Sequence, residues 1–337
     1  MFIVTNFWGS FPNRWTASTG LSGTSVSQAS SLWDCLKHCR RQDALFLINC
    51  APGLVYQLAS VFTAFPAWRR PLISVDLVLR RPSRVQDHLA HGLKRFLLDR
   101  VDHHILFHKD VSGYQSCYGI SPERCSFVPF KVSLPVSGST PVSPDGEYVL
   151  CYGRSQRDWE TFFEAMRHVP YPAATSPLSV PKRLIGQLPK NVRLVEDENT
   201  QEAQIRILSR AKLVVLPILK TNIAASGLSV CFNAMGLGKC VIGSEGPAFT
   251  GMFSNDEMLL VPPGDPVALA QTIRRAWEGD EFRHATAMRA HRHVMQTGGR
   301  DALYQRIIDA VGRWHQRRSE GCVSQAAAGT GTASEMG

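Results

Sequence analysis

Apolar and polar positions alternate in blocks along this chain. In the first 130 residues the runs FIVTN, ALFLIN, LISV, HHILF and SFVPF are short and almost continuously apolar. That is the signature of strands buried on both faces. Between them Val85–Leu98 repeats apolar positions at helical spacing. Residues 10–31, rich in Ser, Thr and Gly, read as a loop or insertion. Residues 133–145 are dominated by Ser and Pro and carry no periodicity, so they read as a linker. A fresh strand, EYVLCYG, follows at once. Helix then alternates with strand: 159–168, NVRLV, 198–209, AKLVVLP, a helix from Ser229, KCVIGS, EMLLVP, and helices after Pro266 and Asp280. The pattern predicts an α/β protein of two doubly wound, Rossmann-like domains, 1–135 and 146–317, facing each other across a cleft. Residues 320–337, mostly small and polar, are expected to be a disordered tail. In such sheets ligands bind beyond the carboxyl ends of the strands.

Composition adds limits. Hydrophobic residues make up 44% and charged residues 19%, enough for two cores. No apolar run approaches the roughly 18–20 residues of a bilayer span. The opening MFIVTNFWGSFPNRW lacks the basic-then-apolar layout of a secretory signal, so the expected location is the cytoplasm. Nine scattered cysteines contain no Cys-x-x-Cys pair and read as free thiols rather than a zinc or disulfide framework.

The net charge of +9 is uneven. Residues 1–140 hold 15 Lys and Arg against 8 Asp and Glu, or +7, leaving +2 for the rest. The excess gathers at Arg69, Arg70, Arg80, Arg81, Arg84, Lys94 and Arg95. It favours an anionic membrane surface or a phosphorylated lipid. With no nucleic-acid-binding signature beside it, nucleic acid is not an expected partner.

Chemistry concentrates in residues 213–266. A buried strand ends at Pro217, a loop follows, and Ser229 is placed to cap a helix just after Gly227. Free N–H groups and the helix dipole suit an anion there, and a diphosphate fits. Many α/β proteins share such a turn, so the physics alone is weak. The segment also contains Ser226-Gly227-Leu228-Ser229-Val230, Ala234-Met235, Gly238-Lys239-Cys240-Val241-Ile242 and Val261-Pro262-Pro263-Gly264-Asp265-Pro266. Upstream, Tyr152-Gly153-Arg154 is followed by Arg157, and the amino half closes on Tyr118-Gly119-Ile120-Ser121-Pro122 and Phe127-Val128-Pro129-Phe130.

Together these segments resemble glycosyltransferase family 4, over roughly residues 100–317. The resemblance implies the GT-B fold and a nucleoside-diphosphate sugar donor. Gly153 and the turn from Ser226 to Val230 would hold the donor phosphates, and Arg154 and Arg157 would grip the diphosphate as charge builds on the leaving group. A guanidinium offers phosphate a planar fork of donors. No cofactor and no metal are expected, the cations standing in for a divalent ion. Retention at the anomeric carbon is implied.

Two departures stand out. The family's paired glutamates of the donor loop fall at Ala225 and Asn233. Asn233 keeps a hydrogen-bonding group for a hydroxyl; Ala225 keeps none. Glu245, beyond the next strand, is a candidate replacement. In the amino half Asp76 stands where the family often has a histidine, and is a candidate base toward the acceptor hydroxyl. Its alternative is a loop aspartate paired with Arg80 or Arg81. His103 and His104 read as strand residues. The expected function is sugar transfer to a glycan or lipid-linked acceptor, such as a cell-envelope lipid or polysaccharide precursor. A catalytically silent nucleotide- or partner-binding protein and a nucleotide-sugar epimerase remain open alternatives.

Overall fold

A computed structural model of the chain describes residues 1–7, 11–12, 23–83, 85–134 and 142–330. Six strands form the first sheet: β1 (Phe2–Thr5), β2 (Ser25–Gln28), β3 (Ala44–Asn49), β4 (Leu72–Val75), β5 (His103–Leu106) and β6 (Cys125–Phe127). All neighbours are parallel, in the order β2-β1-β3-β4-β5-β6. The central runs ALFLIN and LISV are buried almost throughout, because helices cover both faces. On the outer face lie α1 (Leu32–Leu36), α2 (Pro52–Ala64), α3 (Val85–Leu98) and α4 (Ser112–Tyr118).

The second sheet contains β7 (Tyr148–Cys151), β8 (Ala173–Thr175), β9 (Val192–Leu194), β10 (Ala211–Leu216), β11 (Cys240–Ser244) and β12 (Leu259–Val261), in the parallel order β12-β11-β10-β7-β8-β9. Its helices are α5 (Trp159–Arg167), α6 (Gln201–Ser209), α7 (Leu228–Gly236), α8 (Pro266–Glu278) and α9 (Asp280–Gln296). Local chemistry sets their starts. Asp158 accepts from Thr161 N at 3.1 Å to open α5, and Asp265 accepts from Val267 N and Ala268 N to open α8. The Pro-Pro-Gly-Asp-Pro stretch is thus a left-handed glycine, a cap and a proline at the first helical turn. Lys239 is buried with its ammonium on the carbonyl of Pro144 at 2.6 Å, pinning the end of the linker.

Three expectations change. Within 10–31, half of which lies outside the described residues, Ser25–Gln28 is an edge strand, and the helix Leu32–Leu36 follows it. The tail expected at 320–337 is helical as far as Thr330, as the end of α10 (Arg300–Thr330); 331–337 lie outside the described residues. That helix also does not complete the carboxyl-terminal domain. It crosses back to the first: Tyr304 packs edge-on against Phe7 and Phe11, Arg306 donates to Phe130 O at 3.0 Å, and Arg318 reaches Asp102 at 3.6 Å. Apolar positions on a helix say that it packs, not on which sheet. The two crossings between domains lie side by side, with Val132 N donating to Gly298 O at 3.1 Å.

His103 and His104 are buried in β5 against Ser126 and Ser74, both at 2.8 Å. Burial holds them neutral, at about 4 and about 3, and His108 likewise at about 4. Unfolded imidazoles take up protons near pH 6.5 while these do not. Stability supplied by the neutral forms should therefore drain away as pH falls from about 6.5 toward 4, at up to about 1.4 kcal/mol per pH unit for each group. Thermal unfolding across that range checks this, and His104→Gln should flatten the slope.

Candidate functional site

The carboxyl ends of both sheets open onto one cleft of about 400 Å3. In the second sheet the strand order reverses between β7 and β10, the crevice where doubly wound sheets take ligands. The loops leaving those two strands are laced together: Asp158 N donates to Pro217 O at 2.9 Å and Leu219 N to Gln156 O at 3.0 Å. This lacing buries Arg157. Its Nε donates to Tyr152 O at 2.9 Å and its Nη1 to Ser155 O at 3.1 Å. No carboxylate pairs with it among the described residues, and burial works against its charge. A buried guanidinium without a counter-ion is costly, and an anionic ligand would relieve that cost.

Two glycines make room for it. Gly153 and Gly227 have φ of 96° and 97°, conformations that side chains rarely adopt. A Cβ at Gly153 would lie 2.8 Å from Arg157 Nη2, and one at Gly227 would lie 3.0 Å from Nη1. Gly227, not Ser229, is the residue that caps α7, and with no side chain of its own it leaves the first-turn amides uncapped. The expected Ser229 cap is thus corrected: Ser229 is exposed in the first turn, where its amide joins those of Leu228 and Val230 facing the cleft. Ser226 is buried with its hydroxyl on Asn222 Oδ1 at 3.0 Å; Asn222 also grips Ala224 through both ends of its amide. Asn222 escaped the sequence reading; an asparagine between a strand and a helix is its only signal. Arg154 is exposed and lines the cleft beside Arg157.

Gly227→Ala should push the Arg157 fork aside and strain the turn by roughly 1–2 kcal/mol. Nucleoside-diphosphate affinity is expected to fall about tenfold or more while Tm drops by a few degrees, measured by calorimetry and thermal unfolding.

The amino-domain wall is largely apolar: Phe7, Val78, Phe107 and Phe130, with Leu303 and Tyr304 from α10. Among the described residues two charged side chains break it. One is Lys131, which follows β6, stands against Ser133 and was missed in sequence. The other is Asp76. It follows β4 with φ of 49°, next to Cys50, which follows β3 with φ of 48°. Such values in non-glycine residues cost about 1–3 kcal/mol each and cluster at functional sites. Asp76 Oδ2 accepts from Cys50 Sγ at 3.6 Å, while Oδ1 is buried with no partner among the described residues. Burial pushes the carboxyl up to about 7, the Cys50 bond opposing only weakly. The alternative pairing with Arg80 or Arg81 is not what forms. Arg80 bonds Asp87 at 3.2 Å, and Arg81 lines a separate groove.

Two other candidates are not brought to the cleft. Asn233 is buried, its Oδ1 accepting from Ser133 N and its Nδ2 donating to Gln204, both at 2.8 Å. Its amide fastens the linker to α7, buried away from the cleft lining. Glu245 is exposed in that second groove, with Lys220 and Arg81, on the far side of the 217–225 loop. Ala225 lines the cleft and offers nothing polar. Among the described residues no group of three or more His, Cys, Asp or Glu stands close enough to hold a metal ion.

No protein-family model and no curated protein matches the chain. Solved structures do. HepE of Anabaena, in complex with UDP-glucose, superposes with a TM-score of 0.67 at 14% identity over 93% of this chain and 100% of its own. Sucrose-phosphate synthase of Thermosynechococcus elongatus gives 0.64 at 17% identity over 95% and 89%. The UDP-forming α,α-trehalose-phosphate synthase of Burkholderia xenovorans, in complex with glucose 6-phosphate, gives 0.54 at 13% over 85% and 75%. Two parallel six-stranded sheets facing across one cleft, shared with these structures over most of the chain, give this protein the GT-B fold.

Proposed function

We propose that the protein transfers a sugar from a nucleoside-diphosphate sugar to the hydroxyl of a glycan or lipid-linked acceptor, such as a cell-envelope precursor. One observation carries this reading: a buried, acid-free Arg157 set between two left-handed glycines and the open first turn of α7. The site asks for a diphosphate. As the bond from the anomeric carbon to the β-phosphate oxygen breaks, its electron pair moves onto that oxygen. Arg154, Arg157 and the amides of Leu228, Ser229 and Val230 stabilise the new charge, preorganised in a cleft that limits water. The acceptor hydroxyl bonds to the anomeric carbon and its proton passes to Asp76, whose pKa near 7 suits a base. The neighbours that bind UDP-glucose or form UDP support a sugar nucleotide as donor.

A ligand held only by the folded state raises apparent stability by about 2.7 kcal/mol at a hundredfold excess over Kd. A thermal-shift panel of nucleoside diphosphates and sugar nucleotides should therefore yield at least one clear rise in Tm. A flat panel would reject the diphosphate site. Ala225 favours a second reading, a binding protein without turnover, since its own side chain offers the donor sugar nothing polar. Stabilisation by a sugar nucleotide that is never consumed, with or without added acceptor extract, would select it.

A further inference from the structure

Among the described residues, four large apolar side chains of the amino domain stand exposed, and all four belong to its outer helical layer: Trp33 at 76%, Phe65 at 53%, Leu93 at 62% and Phe96 at 45%. Three of them share one patch. Phe65 closes α2 and stacks on Trp68 with ring centroids 5.1 Å apart. The next residue, Arg69, donates to Arg100 O at 3.1 Å, and the Arg100 guanidinium lies 4.9 Å above the Phe96 ring. Leu93 precedes Phe96 by one helical turn on α3. Arg69 and Arg100 are tied into the patch, Arg70 beside Arg69 donates to Arg40 O at 3.4 Å, and Lys94 follows Leu93 on α3. Of these only Arg69 pairs with an acid among the described residues, at Asp102. The sequence-level basic cluster is thereby divided: Arg69, Arg70, Lys94 and Arg95 belong to this layer, Arg80 and Arg81 turn toward the other domain, and Arg84 lies outside the described residues.

We propose that this outer face of the amino domain is a docking surface for an anionic lipid bilayer. Protruding Phe and Leu side chains enter the interfacial region while the arginines and lysine meet lipid phosphates. No helix among the described residues is long and apolar enough to cross a membrane. Charge chooses the occupant. A twofold contact between copies of the chain would set this basic patch against itself, whereas an anionic bilayer is complementary to it. The patch lies where the chain enters β4 and β5, at the amino ends of the strands and away from the cleft. A docked molecule keeps its cleft open to solvent.

Vesicle binding needs neither donor nor acceptor, so its outcome is independent of the sugar-transfer reading. The full chain is sedimented with vesicles of phosphatidylcholine and phosphatidylglycerol, and with phosphatidylcholine alone, at low and high salt. Binding is expected only to the anionic vesicles and should weaken as salt screens the charges. Phe65→Ser with Phe96→Ser, and separately Arg40→Glu with Lys94→Glu, should each weaken partition at least tenfold. Their Tm and nucleoside-diphosphate affinity should stay at the parent values. Absence of binding to anionic vesicles, or double variants that bind like the parent, overturns the proposal. So does a parent dimer, seen by analytical ultracentrifugation, that the phenylalanine variants split without any vesicle binding; that result assigns the face to a second copy.

Discussion

Arg157→Ala is expected to lower turnover by about 10²–10³-fold, the usual effect of deleting one preorganised donor at a developing oxyanion. Nucleoside-diphosphate affinity should fall at least tenfold as well, because charge-assisted bonds to phosphate contribute roughly 1.5–3 kcal/mol each. Arg157→Lys keeps the charge but not the planar fork, and the fork is what fits between Gly153 and Gly227. It should recover only part of the loss. Exposed Arg154 has freedom to be replaced by water or a neighbouring donor, so Arg154→Ala should cost less than Arg157→Ala. Calorimetry on the three variants, with free guanidinium added to Arg157→Ala, separates a lost phosphate contact from a collapsed loop. Equal nucleotide affinity in parent and Arg157→Ala would remove the diphosphate assignment.

Asp76→Asn should cut turnover by about 10²–10⁴-fold, the range for acid–base catalysis, with nucleotide affinity unchanged because the diphosphate sits on the other domain. The pH dependence carries a second signature. A base must be unprotonated, so parent kcat/KM should rise through about pH 7 and the variant should lose that limb. Stability should move the opposite way from activity. A carboxyl whose folded pKa is raised from 3.8 to about 7 supports the fold fully below pH 3.8 and loses that support as pH rises through 7. Above pH 7 the parent holds a desolvated charge that asparagine does not. The variant should therefore melt higher than the parent at pH 8, with the difference vanishing near pH 4. Normal turnover in Asp76→Asn would end the catalytic assignment.

The sheets and the turn at Gly227 were legible because they rest on local chemistry, while most of the expected linker, 135–141, lies outside the described residues. ALFLIN and AKLVVL admit few readings other than buried parallel strands, and Gly227 before a helix marks a left-handed turn. What escaped was set by distant partners. Ser25–Gln28, with sequence SVSQ, has too little apolar content to signal an edge strand, and its pairing with β1 supplies the rest. Counting along the donor loop put Asn233 on the right helix. Its side chain, however, answers to Ser133, a hundred residues away in sequence. Asp76 was legible as a strand-end carboxylate, but its enclosure comes from the neighbouring loop ends, which no local pattern reports.

The return of α10 gives the molecule two connections rather than one between its halves. A single tether would let one half swivel freely about the other. Here Val132 N meets Gly298 O, and Arg306 spans Thr297 O and Phe130 O, so the two connections are bolted into one short pivot. Twisting about a pair of fused strands is stiff; folding about them is not. For two halves joined in this way bending is the easier relative motion, like the covers of a book about its spine. The contacts of Arg81 N with Thr221 O and Ile223 N with Leu79 O form the clasp.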